Sequence, residues 1–175
     1  TFNANSVRVR LDHILDWLAE NDPDIFCIQE LKCEDAQFPG LAFEEAGYST
    51  FISGQKAQNG VAILYRGHAS DFQRGFPNPS MPQDARLQAA TIDGVRVINT
   101  YVPNGTQVGS EKFRYKLSWL EEFRNYLAQE LRTHSHLVWL GDINIARHPL
   151  DVHNSPRALG GVGHHPQEFE RLDAV

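Results

Sequence analysis

The sequence predicts a layered α+β protein, with mixed β-sheets and helices covering their outer faces. Three observations lead there. Two segments carry apolar residues at helical spacing, turn signals separate several short apolar runs, and the two kinds of segment are interleaved along the chain. Neither a Gly-x-Gly-x-x-Gly after a strand nor a phosphate-loop lysine motif occurs, which sets aside a doubly wound nucleotide-binding fold.

Taken in order, Asn3 and Asn5 alternate along an expected first strand and so share a face. Residues 7–19 place Val7, Leu11, Ile14, Leu15 and Leu18 on one side of a helix that Pro23 ends. Residues 24–29 are an apolar run after a turn and read as a buried strand. Residues 48–52 and 61–65 are two more strands, joined by a loop containing Asn59-Gly60. Residues 87–92 and 95–102 flank Asp93-Gly94, a sharper hairpin signal. Residues 112–132 form a long helix with Leu117, Leu120, Phe123, Leu127 and Leu131 on one face. Residues 136–140 are an apolar strand running straight into Gly141-Asp142. Residues 160–163 are loop, and Pro166 suits the first turn of another helix.

The totals bound the class. A chain of 175 residues, 41% hydrophobic and 22% charged, suits one domain with a real core. No apolar stretch is long enough to span a bilayer and no signal peptide is evident. Cys27 and Cys33 form neither a zinc spacing nor a disulfide framework, and Cys27 sits in an apolar run, so a reducing, cytoplasmic setting is expected. A net charge of −6 argues against a passive nucleic-acid coat, while leaving room for an enzyme with clustered carboxylates and a local basic groove. The chain begins without Met and stops shortly into an amphipathic pattern, as a fragment would.

The residues that could carry chemistry sit at strand ends. Glu30 follows one apolar run and Asp142 another, so both are expected at the rim of a sheet, where neighbouring strands would bring the carboxylates together for a hard cation. Either alone could simply begin a loop. Asn3, Asn5 and Asn144 are amides near the same ends, able to orient a water or a phosphate oxygen without adding charge. Tyr101 closes a strand before Val102-Pro103-Asn104-Gly105; its phenol could donate to a phosphate oxygen or ionise beside a metal, and a packed strand tyrosine fits the same position equally well. The cations Arg8, Arg10, Lys32, Lys56, Arg86, Lys112, Arg114 and Lys116 are dispersed and read mostly as solvated surface, with Lys32 and Lys56 the better placed for phosphate. Eight histidines invite a zinc reading, but His148 and His153, and His164-His165, lack His-Glu-x-x-His spacing.

Taken together the motifs resemble the exonuclease III family of the endonuclease/exonuclease/phosphatase superfamily. The matching segments are Phe2-Asn-Ala-Asn-Ser-Val-Arg-Val-Arg10, Ile28-Gln-Glu-Leu-Lys32, Gly54-Gln-Lys56 with Gly60-Val-Ala62, Arg74-Gly-Phe-Pro77, Asn99-Thr-Tyr-Val-Pro-Asn-Gly105 and Gly141-Asp-Ile-Asn-Ile145. They occur in family order over nearly the whole chain, and Arg-x-Arg with Gly-Gln-Lys points to the DNA-repair branch. The resemblance implies a four-layer α/β/β/α sandwich, incomplete at its C-terminal side, and a monomer. It implies Mg²⁺, with Mn²⁺ able to substitute, held by Glu30 and Asn3. It makes Tyr101, Asp142 and Asn144 catalytic, and it expects DNA contacts at Asn5, Arg8, Lys32, Lys56 and Asn104. The implied substrate is double-stranded DNA with abasic sites or 3′ ends, cut by one-step hydrolysis in base excision repair. A non-catalytic nucleic-acid-binding homologue of the same fold is the alternative. Family members continue into an Arg-Ile-Asp-type motif and a Ser-Asp-His that are absent here, so weak or no catalysis is expected of these 175 residues alone. Residues 163–170 align instead with the family's Pro-x-Glu helix start.

Overall fold

The computed structural model describes residues 1–153 and 159–175, and these divide into two compact units. The first comprises Thr1–Tyr101 with His134–Asp142, and the second Val102–Thr133 with Ile143–Val175.

The first unit holds eight strands in two four-stranded sheets. One sheet has β1 (Phe2–Asn3), β2 (Ile25–Gln29), β3 (Ser49–Ser53) and β4 (Val61–Tyr65), in the order β1-β2-β4-β3. The other has β5 (Ala69–Arg74), β6 (Leu87–Ile92), β7 (Val95–Tyr101) and β8 (Leu137–Asp142), in sequential order. Both are mixed, as expected, and each has one parallel pair. β1 runs parallel to β2 with Asn3 opposite Gln29, and β7 runs parallel to β8 with Tyr101 opposite Asp142. Parallel neighbours end at the same edge, so each pair delivers two strand ends to one place.

Alternation assigns the faces. Phe26, Ile28, Ala62 and Leu64 turn outward from the first sheet. They are buried with Ile14 and Leu18 of α1 (Leu11–Asn21) and Phe43 of α2 (Gly40–Glu45). Cys27 and Ile63 turn inward and meet Ala90, Ile92 and Val97 of the second sheet, so the two sheets pack face to face over an apolar layer. Burial pushes the Cys27 thiol up to about 12, which keeps it a small apolar filler rather than a nucleophile.

Toward the strand ends that layer becomes polar. Gln29 Nε2 donates to Asn99 Oδ1 across the sheets at 2.7 Å, and also to Thr1 Oγ1 at 2.8 Å. Asn99 Nδ2 in turn donates to the carbonyls of Ile28 at 3.2 Å and Ala62 at 2.9 Å. Gln88, fully buried, shares this face by alternation.

Two local expectations change, and two elements went unpredicted. Asn5 does not continue a strand: β1 ends at Asn3, and Asn5 and Ser6 take positive φ of 44° and 95°. The chain therefore turns before α1, which starts at Leu11, so Val7 is buried from a turn and not from a helix. β5 is an edge strand whose period of two is broken by an irregularity between Ser70 and Gln73, with Asp71 at φ 51°, so no alternation marks it in the sequence. α2 has six residues, too few to show helical spacing. The Asp93-Gly94 signal holds: both residues have positive φ, 45° and 83°, as a two-residue primed turn needs.

The second unit is built on α3 (Glu111–Thr133) and α4 (Pro166–Asp173), which contact each other. α3 buries Phe113, Leu117, Leu120, Phe123 and Leu127 on its expected face, although Leu131 in its last turn is exposed. Pro166 opens α4, and Glu168 closes a capping box with His165.

Candidate active site

Asn3 is the hub of the first unit's polar rim. Its Nδ2 donates to Glu30 Oε1 at 2.8 Å and to Asp142 Oδ2 at 2.7 Å, while its Oδ1 accepts the Asn5 amide at 3.0 Å. Glu30 and Asp142 thus converge, but not as neighbours in one sheet. β2 and β8 belong to different sheets, and one amide from β1 bridges the carboxylates across the gap.

Backbone geometry fixes each member. Glu30 and Lys32 both have φ of 53°, a left-handed conformation that costs a side-chain-bearing residue roughly 1–2 kcal/mol. That kink ends β2 and turns Glu30 into the rim. Asp142 depends on the residue before it. Gly141 has φ 137°, and a Cβ there would lie 2.0 Å from the Thr100 carbonyl oxygen, so only glycine lets β8 approach β7 closely enough to set Asp142 opposite Tyr101.

Electrostatics sharpen the arrangement. Lys32 Nζ lies 3.1 Å from Glu30 Oε2 and also binds the Asn5 side-chain oxygen. The Tyr101 phenol is hydrogen-bonded to Glu30. Burial on its own would raise the Glu30 carboxyl pKa, but hydrogen bonds from Asn3, Lys32 and Tyr101, with the Lys32 charge, bring it below the ordinary value. Tyr101 moves the other way, to about 12, through burial, its hydrogen bond to Glu30 and the charges of Glu30 and Asp142, against the opposing pull of Arg86. In the metal-free protein Tyr101 is therefore a protonated donor at neutral pH.

The Glu30 shift has a testable sign. A carboxyl whose folded pKa is depressed adds stability that is present above its unfolded value and lost as pH falls through the folded one. The Tm gap between native protein and Glu30→Gln, measured without metal, is expected to be widest above pH 4.5 and to close as the pH drops below it. A gap that stays constant into acid would contradict the depressed pKa.

Arg86, named among the dispersed cations and read as surface, is instead largely buried against Tyr101. Its guanidinium lies 4.7 Å from the centre of the Tyr101 ring, Nη1 donates to the Tyr101 carbonyl at 3.2 Å, and Nε pairs with Asp84 at 2.8 Å. The Asp84-x-Arg86 spacing just before β6 is the only signal it left. Arg8 and Lys56 are exposed, Lys56 in the β3–β4 loop, and neither joins the hydrogen-bonded cluster.

Asn104 and Asn144 lie in the second unit and meet there, with Asn104 Nδ2 donating to Asn144 Oδ1 at 3.3 Å. Asn144 has φ 53° and its Nδ2 donates to the Val102 carbonyl at 2.9 Å. Lys116, expected on the surface, is fully buried beneath them and paired with Glu168. Its spacing from Phe113 and Leu120 already put it on the apolar face of α3.

Carboxylates, an amide and a phenol thus gather at the ends of two parallel strand pairs, one from each sheet. The chain belongs to the Endonuclease/Exonuclease/phosphatase family, whose profile matches residues 1–170, and within it to the exonuclease III type. It is 31% identical over 157 residues to exodeoxyribonuclease III of Haemophilus influenzae, covering 87% of this chain and 59% of that protein. The fold is that of the exonuclease III and AP endonuclease structures. An AP endonuclease from Archaeoglobus fulgidus superposes with a TM-score of 0.90 at 42% identity, over 99% of this chain and 67% of that one. A variant of the 3′ phosphatase NExo from Neisseria, bound to a product DNA hairpin, gives 0.91 at 39% identity, over 98% and 68%. The chain thus spans about three-fifths of the curated Haemophilus relative it matches.

Proposed function

We propose that the protein carrying this chain is a metal-dependent DNA phosphodiesterase that cuts at abasic sites and trims 3′ ends in DNA repair. The observation that carries the reading is the Asn3 bridge between Glu30 and Asp142, which gathers two carboxylates at the rim beside a protonated phenol.

The donor set suits a hard divalent cation. Glu30 offers carboxylate oxygens and Asn3 an amide oxygen that in the metal-free protein accepts the Asn5 amide, and among the described residues no three His, Cys, Asp or Glu side chains cluster as an all-protein cage. Mg²⁺ is commonly held by one or two carboxylates with water completing its shell, and Mn²⁺ accepts the same oxygens. Glu30 and Asn3 would hold the ion, and it would supply charge neutralisation at the phosphate. Tyr101 donates a hydrogen bond to a phosphate oxygen. Asp142, held by Asn3, orients the attacking water or takes its proton. Asn144, with Asn104, offers neutral donors for phosphate. Asn5, Arg8, Lys32 and Lys56 contact the DNA backbone.

An abasic nucleotide has no base to unstack, so extruding its sugar costs less than flipping a normal nucleotide. That difference supports abasic DNA as a substrate. The decisive experiment offers the protein duplexes with an abasic site, a 3′-hydroxyl end and a 3′-phosphate end, with Mg²⁺, Mn²⁺ or chelator. Mg²⁺-dependent incision at the abasic site is expected. Intact protein that leaves the abasic duplex whole with either metal would end the proposal.

A further inference from the structure

Lys116 and Glu168 form an ion pair at 2.5 Å with both side chains fully buried, in a unit where ordinary apolar packing would have been simpler. Replacing a buried pair by apolar or neutral groups is often neutral or stabilising, so such a pair is weak evidence for stability and asks for another reason. The remaining hydrogen bonds supply one. Lys116 Nζ also donates to the backbone carbonyl of Asn144 at 2.7 Å and of Asn104 at 3.2 Å. Glu168 is itself fixed: Oε1 accepts the Gly163 amide at 3.1 Å and Oε2 the His165 amide at 3.0 Å, both at the start of α4. One ammonium thus joins the loop after residue 102, the loop after residue 142 and the N-terminus of α4. It grips the backbone of the two asparagines whose side chains meet at 3.3 Å.

We infer that Lys116, anchored by Glu168, is a positioning residue that sets Asn104 and Asn144 in their working geometry, Asn144 in a left-handed conformation included. The inference rests on the proposed role of these two amides toward phosphate. A lysine is suited to it because three donors radiate from one point, so a single charge can reach three oxygens. An arginine fork in the same space would present its donors in a plane.

The test uses Lys116→Met with Glu168→Gln in the full protein. No charge is then left buried alone and the glutamine oxygen can still accept one of the two amides at the start of α4, so the fold is expected to survive with a lowered Tm. kcat on the abasic duplex should fall about 30-fold with KM nearly unchanged, since displacing a positioned group by about 1 Å costs on the order of 10²-fold. Asn144→Ala should cost about 100-fold in the native background but only about threefold in the double variant, because both changes disable the same group. A native kcat in the folded double variant, or an undiminished cost of Asn144→Ala there, would overturn the inference.

A second readout does not need activity. The side-chain amide resonances of Asn104 and Asn144 in ¹⁵N-labelled protein should shift in the double variant, and unshifted resonances would overturn the positioning role. If the native protein cuts no DNA, the functional proposal falls, while this readout still decides whether Lys116 sets the two amides.

Discussion

Glu30→Ala is expected to lower kcat/KM on abasic duplex DNA about 10³-fold, the size of loss that accompanies removal of a group stabilising charge in the transition state. Glu30 is the side chain on which the rim converges: the Asn3 amide, the Lys32 ammonium and the Tyr101 phenol are all hydrogen-bonded to it. Alanine removes the carboxylate that the proposal gives to the metal and leaves those three groups without their common partner. Binding of Mn²⁺, followed by its electron paramagnetic resonance signal, should weaken in parallel with activity. Tyr101 provides an internal check. Its pKa of about 12 owes part of its rise to Glu30, so in metal-free Glu30→Ala the phenol should titrate at lower pH, read from its ultraviolet absorbance against Tyr101→Phe. Glu30→Gln separates the causes, since it removes the charge but keeps an oxygen acceptor. Glu30→Ala protein with activity within about tenfold of native would show that no essential charge resides there.

The sequence was most informative where strand ends and chemistry coincide. Glu30 and Asp142 were legible because each stands two positions beyond a run of residues apolar enough to be buried, where a carboxylate is expected at a rim. Tyr101 was legible for the same reason. The way the two carboxylates meet was not, because no local pattern says that β2 and β8 lie in different sheets and are bridged by Asn3. Asn5 misled because a spacing of two also fits a chain that turns. Its positive φ and its bonds to Asn3 and Lys32 make it part of the rim from a turn. Lys116 was hidden by its residue type. Charge usually means solvent, and only its place in the repeat of α3 marks it as interior. Gln29 and Asn99 were hidden likewise, as polar residues in strands buried on both faces, where alternation carries no contrast.

Asn99→Leu is expected to destabilise the protein by about 3–4 kcal/mol, since it strips partners from several buried groups at once, at roughly 1–3 kcal/mol each. Leucine has the same branched shape with bulkier methyl ends, so a cavity is not the cause. The Ile28 and Ala62 carbonyls lose their side-chain donor, although both can still serve the strand ladder. The sharper penalty falls on Gln29, whose amide, 1% exposed, loses the Asn99 oxygen and retains Thr1. At about 2–4 °C per kcal/mol for a domain of this size, Tm should fall by roughly 10 °C. Gln29→Leu alone should be comparably harmful, whereas Gln29→Leu with Asn99→Leu should cost less than the sum of the two, because an apolar pair leaves no amide stranded between the sheets. Additive losses would mean that the cross-sheet bond contributes nothing beyond its separate halves. Activity should report the same coupling through geometry. Gln29 immediately precedes Glu30, and Asn99 lies two residues before Tyr101 on the same face, so the bond between them ties the strand that presents the carboxylate to the strand that presents the phenol.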